Sequence, residues 1–298
     1  MSALGRGEKS LKAYETALVY DPISPAVLGN ISALRYEKGD FEGALVTART
    51  NLKWNGEAAQ ALNMMARLRR HNADYVGAHA LLFKAAKTNP DEYFVQTDLT
   101  NLYLDIGLDE QARGAARLAG VKATAFALTG DPQKAAELAK TDPGDYDAAY
   151  AAYLLSDYDF AYAVFRKEVT AYGLTEPDSF RPQEGHWLAV YAYVLKQKND
   201  ADAEILLNYL EKSLRGTSPD TTKFPEETLG AAALHMMRGN PDAALRWLDP
   251  IIDKGHVYLK LTNEPIFAPL ADHPGYAKRL KRMQQTAKKY RAAIEKQL

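Results

Sequence analysis

The chain has 298 residues, 47% hydrophobic and 25% charged, with a formal net charge of -1. That balance argues against wholesale disorder, and a charge so near zero supplies no global field for nucleic acid. No cysteine is present, which removes disulfides, thiolate zinc sites and cysteine nucleophiles, no apolar run reaches membrane-spanning length, and residues 1–10 lack the apolar core of a signal peptide.

The first clear helix runs from Glu8 to Tyr20, with Leu11, Tyr14 and Leu18 on one face. It reads as the second helix of a hairpin whose first helix is missing. Its apolar face is therefore expected to be partly exposed, and the chain to be a portion of something longer. Pro25 to Gly56 makes the first whole unit. Leu28, Ile31 and Leu34 recur at helical spacing, Gly39-Asp40 interrupts them, and Ala44, Leu45, Ala48 and Leu52 share a face of the helix that follows. Glycine accepts the left-handed backbone that ends a helix, and aspartate caps the next one.

Ala59 to Glu92 repeats the plan over 34 residues, turning at Ala73-Asp74 and stopping at Asn89-Pro90. A third unit starts at Tyr93 and carries Leu99, Tyr103, Gly107 and Ala112. The same punctuation returns at Gly130-Asp131, Ser156-Asp157, Asn199-Asp200 and Gly239-Asn240. The spacing is uneven. Ala112, Ala135 and Ala161 lie 23 and 26 residues apart, which predicts short helices between Asp109 and Leu155. Ala161, Ala203 and Ala244 lie 42 and 41 apart, and the excess falls in loops at Thr175-Glu176-Pro177-Asp178 and Thr217-Ser218-Pro219-Asp220.

These units resemble the tetratricopeptide repeat family, whose pattern is a bulky residue, then leucine and a small residue, tyrosine, and later alanine, an aromatic residue, alanine and proline. Ser10, Tyr14, Ala17 and Pro22 match the second half of that pattern, as do Ala78, Ala85 and Pro90 with Leu82 in the aromatic slot. The resemblance covers roughly residues 7 to 254 and implies an all-α, right-handed solenoid of about seven helical hairpins. Ala44, Ala78 and Ala112 are expected where the two helices of a hairpin cross most closely. The solenoid is expected to span residues 1–256, and residues 257–298 to form a connector and a long helix packed on its end.

Pro265-Ile266-Phe267-Ala268-Pro269-Leu270, followed by Asp272-His273-Pro274-Gly275-Tyr276, resembles the ends of repeat regions in bacterial winged-helix regulators and multidomain adenylate cyclases. The final helix, from Gly275 to Leu298, carries eight basic residues against Glu295. Tyr276, Leu280, Met283, Ala287, Tyr290 and Ile294 form one apolar stripe along it, long enough to cap the array or to pair two copies of the chain. Its basic face suits solvent or an acidic partner; nucleic acid and a lipid surface are less suited.

Chemistry-bearing motifs are sparse. Gly5-Arg6-Gly7-Glu8-Lys9-Ser10 fails as a phosphate loop because Glu8 separates glycine from lysine and no strand precedes it. No pair among His71, His79, His186, His235, His256 and His273 has the spacing of a helical metal site, and no serine sits in a nucleophile elbow. No cofactor is implied.

Eight of the 18 tyrosines fall between Tyr146 and Tyr193. Tyr146, Tyr150 and Tyr153 share one helix face, and the family resemblance places first-helix residues on the concave groove, which Tyr193 also approaches. Asn63, Arg67, Arg70 and Asn101 map to the same side of earlier helices and suit a peptide's carboxylate or backbone. The alternative for all eight residues is ordinary packing or solvation. The chaperone carboxylate clamp of some family members corresponds to Gly29, Ala33, Met64, Phe94 and Asp98, none of which matches it. Two functions follow: a non-catalytic scaffold that binds a protein or peptide in its groove, or a ligand-sensing regulatory segment of a larger bacterial signalling protein. The sequence does not fix a compartment; the cytoplasm is favoured, with the periplasm open if the chain is a fragment.

Overall fold

The computed structural model describes residues 3–143, 145–171 and 184–298. Helix α1 (Ala3–Tyr20) stands alone and packs on α2. Seven hairpins follow. They are α2 (Pro25–Glu37) with α3 (Phe41–Asn55), α4 (Ala59–His71) with α5 (Tyr75–Thr88), and α6 (Tyr93–Ile106) with α7 (Asp109–Ala116). Next come α8 (Lys122–Leu128) with α9 (Pro132–Ala139), and α10 (Tyr146–Leu154) with α11 (Tyr158–Ala171). The last two are α12 (Gly185–Gln197) with α13 (Asp202–Ser213), and α14 (Pro225–Met237) with α15 (Pro241–Asp253). A connector with 3₁₀ turns at Leu261–Asn263 and Ala268–Leu270 leads into α16 (Pro274–Ile294). The described residues contain no strand, and the fold is an all-α solenoid of hairpins. The expected loop at Thr175–Asp178 lies outside the described residues; Thr217–Asp220 is irregular, between α13 and α14.

One turn explains the recurring punctuation. Gly39, Ala73, Gly107, Gly130, Ser156, Asn199 and Gly239 all have positive φ, from 55° to 84°. In each turn the next amide donates back across the helix end, as Asp40 N does to Arg35 O at 2.9 Å and Asn240 N to His235 O at 2.8 Å. This is the Schellman arrangement, which satisfies carbonyls that the helix leaves open. Asp40, Asp74, Asp131 and Asn240 then accept from the amides of Gly43, Gly77, Lys134 and Ala243, capping the second helix. A stop and a start are thus built from two adjacent residues.

The alanine that follows each turn faces its partner helix. Ala44, Ala78, Ala112, Ala135, Ala161 and Ala244 have no exposed surface, and Ala203 is buried. A small side chain here lets the two backbones approach, and a larger one would overpack. The compact middle of the array follows the uneven spacing: α7 to α10 are 7 to 9 residues long. One close backbone approach joins different hairpins. A β-carbon on Gly230 of α14 would lie 2.5 Å from the Gly185 carbonyl carbon of α12, so these two backbones touch.

The array bends enough for its late units to meet its early ones. Phe224, at the start of α14, packs edge-on against Tyr36, Phe41 and His71, with ring centroids 5.9, 5.3 and 5.9 Å away. The connector crosses the inner side: Leu259 N donates to Asp105 O at 3.3 Å, and Ile266 N donates to the Tyr153 hydroxyl at 3.3 Å. Helix α16 then packs on α15, α5 and α6. Its Tyr276, Met283, Ala287 and Ile294 are buried within the same chain, so that part of the stripe serves as a cap and is not open for pairing two copies. Arg291 donates to Ile106 O at 2.5 Å, closing the end of α6. At the opposite end Leu11, Tyr14 and Leu18 of α1 are half-buried, while Val19 and Tyr20 are exposed.

Candidate functional site

The concave side encloses a cavity of about 620 Å³. Every first helix of a hairpin, from α2 to α14, contributes to its lining, through residues such as Tyr36, Arg67, Asp98, Thr124, Tyr150 and Trp187. This follows from the geometry of stacked hairpins, which turn their first helices inward. The rest of the wall comes from Tyr75 of α5, from residues just ahead of several first helices, and from the connector, which supplies His256, Tyr258, Lys260, Leu261 and Glu264. The volume falls within the range of small-ligand sites, large enough for a few side chains and too small for a folded domain.

One side of the cavity is charged. Arg70 Nε and Nη2 both donate to Asp105 Oδ2, at 3.0 and 2.6 Å. Burial pushes the Asp105 carboxyl up, with Arg70 opposing it; burial likewise works against the Arg70 charge, but Asp105 and its neighbours hold that guanidinium above its ordinary value. The pair is ionic by geometry. Arg67 lies over the Tyr36 ring, 5.0 Å from its centroid. Asp147 accepts from the amides of Ala123 and Thr124 at 2.7 and 3.0 Å, capping α8. Lys260 of the connector pairs with Asp109 at 2.9 Å.

The other side is aromatic. Trp187 stands edge-on between Tyr146 and Tyr150, with centroids 4.8 and 4.9 Å away. Burial, and then the charges around them, push both tyrosine hydroxyls well above their ordinary range, so they remain neutral hydrogen-bonding groups. Behind them His186 Nε2 lies 2.9 Å from Glu264 Oε2. Burial lowers the affinity of His186 for a proton, but Glu264 outweighs it and raises the pKa overall, which favours a buried ion pair between α12 and the connector.

Of the eight residues singled out in the sequence, Arg67, Arg70, Asn101, Tyr146 and Tyr150 line this one cavity. The other three do not. Asn63 is buried and donates to Asp98 Oδ2 at 2.8 Å. Tyr153 is fully buried, its hydroxyl used by Ile266 N. Tyr193 packs edge-on against Tyr153 and Tyr158, 5.8 and 5.9 Å between centroids. Helical spacing puts Tyr150 and Tyr153 on the same face, but the connector meets both, leaving Tyr150 on the cavity wall and burying Tyr153 behind Ile266. The expected grip on a carboxylate also changes, because Arg70 is held by Asp105 and Asn63 is bonded to Asp98.

Sequence reasoning missed Trp187, Glu226, Tyr258 and Glu264, all of which line the cavity. Trp187 and Glu226 start first helices, a position that could have flagged them. Tyr258 and Glu264 belong to a segment without repeat periodicity, and nothing in their spacing points inward.

Comparison with known proteins adds little. No protein-family model and no curated protein matches the chain. Among solved structures it is similar to the P58(IPK) TPR domain, at 14% sequence identity over 99% of this chain and 95% of that one, with a TM-score of 0.27. A superposition that loose carries no weight for function, and the fold assignment rests on the hairpins themselves.

Proposed function

We propose that this protein is a non-catalytic binding module of the tetratricopeptide type, and that its concave cavity receives a short segment or exposed side chain of a protein partner. One observation carries this: all seven first helices and the connector converge on a single cavity of about 620 Å³. The polar groups there are largely engaged with each other, as in Arg70 with Asp105 and His186 with Glu264, which suits recognition better than proton transfer. Two wall rings, Tyr150 and Trp187, offer large, stiff contact area at low entropic cost.

Asn101→Trp tests the proposal. Asn101 is half-buried on the cavity wall, so a large ring there fills the space without disturbing a helix crossing. A partner captured by the parent chain and lost by a folded Asn101→Trp variant supports the cavity as the site. Identical partner lists would sink it.

A further inference from the structure

Three features of the cavity converge on the chemistry of its occupant. The first is charge. Eight carboxylate side chains line it against Arg67, Arg70, Lys260 and His186 paired with Glu264. Three of those cations are already committed, Arg70 to Asp105 and His186 to Glu264 within the lining, and Lys260 to Asp109 outside it, which leaves six carboxylates facing Arg67. The second is Glu226. It sits in the first turn of α14, half-buried, and its charge acts on Tyr36, Arg70, His71, Asp105, His186 and Tyr258, groups spread around the whole cavity. Among the described residues no cation forms a salt bridge with it. The third is the walls. Tyr36, Tyr150, Trp187, Phe224 and Tyr258 present aromatic rings, and Tyr36 already carries the Arg67 guanidinium at 5.0 Å. A ring face and a carboxylate in a partly desolvated space both favour positive charge and disfavour an anion.

We infer that the cavity is a receptor for a cationic group, an ammonium or guanidinium held by Glu226 and the surrounding aromatic rings. A lysine or arginine side chain of a peptide and a free polyamine share that chemistry. The inference rests on the cavity being the binding site, and it reverses the polarity that the arginines alone suggested from the sequence.

Trp187 provides a reporter inside the cavity. In the full chain carrying Trp54→Phe and Trp247→Phe it is the remaining tryptophan of three. Its fluorescence is followed while titrating spermidine, acetyl-Ala-Lys-Ala-amide, the same peptide with norleucine for lysine, and the same peptide with glutamate. Saturable change with spermidine or the lysine peptide, at least about tenfold tighter than with the other two, is expected. Response to spermidine alone, or to the lysine peptide alone, supports the cation and identifies its source. Glu226→Gln, checked to melt at the parent's temperature, should weaken cation binding about tenfold. A Glu226→Gln variant that binds cations as tightly as the parent overturns the inference. So does equal or tighter binding of the glutamate or norleucine peptide, which leaves the cavity itself standing as the site. No response of Trp187 to any probe overturns both.

Discussion

The seven turns of the array and the connector that crosses its inner side are held by different means. Each turn uses the same device: a positive-φ residue, a back-donating amide, a capping carboxylate or amide side chain in most of them, and a buried alanine. The connector has no repeated device. Glu264 meets His186, Lys260 meets Asp109, Ile266 N meets the Tyr153 hydroxyl, and Asn263 donates to Leu128 O. The array is therefore secured mainly by local backbone geometry and apolar contact, to which capping carboxylates and ion pairs such as Arg166 with Asp202 are added. The connector buries Val257, Phe267 and Leu270 in the same core and adds single polar contacts between residues far apart in sequence, and those contacts are sensitive to pH and salt.

The sharpest way to break the array side of this contrast is Gly230→Ala. The new methyl would meet backbone atoms of Gly185, which cannot swing away as a side chain could. A loss of about 3 kcal/mol is expected in equilibrium urea unfolding. A loss below about 1 kcal/mol would mean that α12 and α14 part at little cost.

Acid should act next in size. His256 is almost fully buried, and burial, with Arg70 and His71 adding to it, lowers its pKa to about 4. Its folded form is neutral where the unfolded form would be protonated. Stability tied to it is complete above pH ~6.5 and falls as pH drops toward about 4, by about 3 kcal/mol at most. Burial lowers His71 and His79 in the same direction. A melting temperature that stays flat between those limits, or falls equally in a His256→Asn variant, would remove His256 as the cause.

The connector itself is probed by Glu264→Gln. His186 has a raised pKa, so its contribution is complete below pH ~6.5 and is lost as pH rises through the folded value. Amide exchange over residues 257–270 should accelerate from pH ~6 to ~8.5 beyond the intrinsic rate, and Glu264→Gln should abolish that extra dependence at a cost of about 1–2 kcal/mol. The smallest effect is expected at Ala73, whose φ of 57° suits glycine better. Ala73→Gly should shift stability by less than about 0.5 kcal/mol, because the relief of left-handed strain is offset by added chain entropy and by the loss of a buried methyl, and the thermal midpoint should hardly move.

The contrast also explains what could be read in advance. Gly39-Asp40 and its six counterparts announce a helix stop and start within adjacent residues, and the alanine after each marks a close crossing. The spacing of Ala112, Ala135 and Ala161 foretells the short helices of the middle units. The cavity was only half legible. Arg67, Arg70, Asn101, Tyr146 and Tyr150 follow from first-helix placement, because hairpin stacking turns those faces inward. Its depth and sign depend on Glu226, Tyr258 and Glu264, brought in by a bend of the whole array and a segment with no period of its own. Neither can be derived from contacts within one repeat.

The meeting of Phe224 with Tyr36, Phe41 and His71 has a mechanical consequence. An open stack of hairpins can fray at either end, each terminal unit peeling off at the expense of one neighbour. A stack whose seventh unit clasps its first behaves as a hoop. To release either of those two units, the clasp must break as well, so partial unfolding at the ends is discouraged and loss of structure is driven toward a single step.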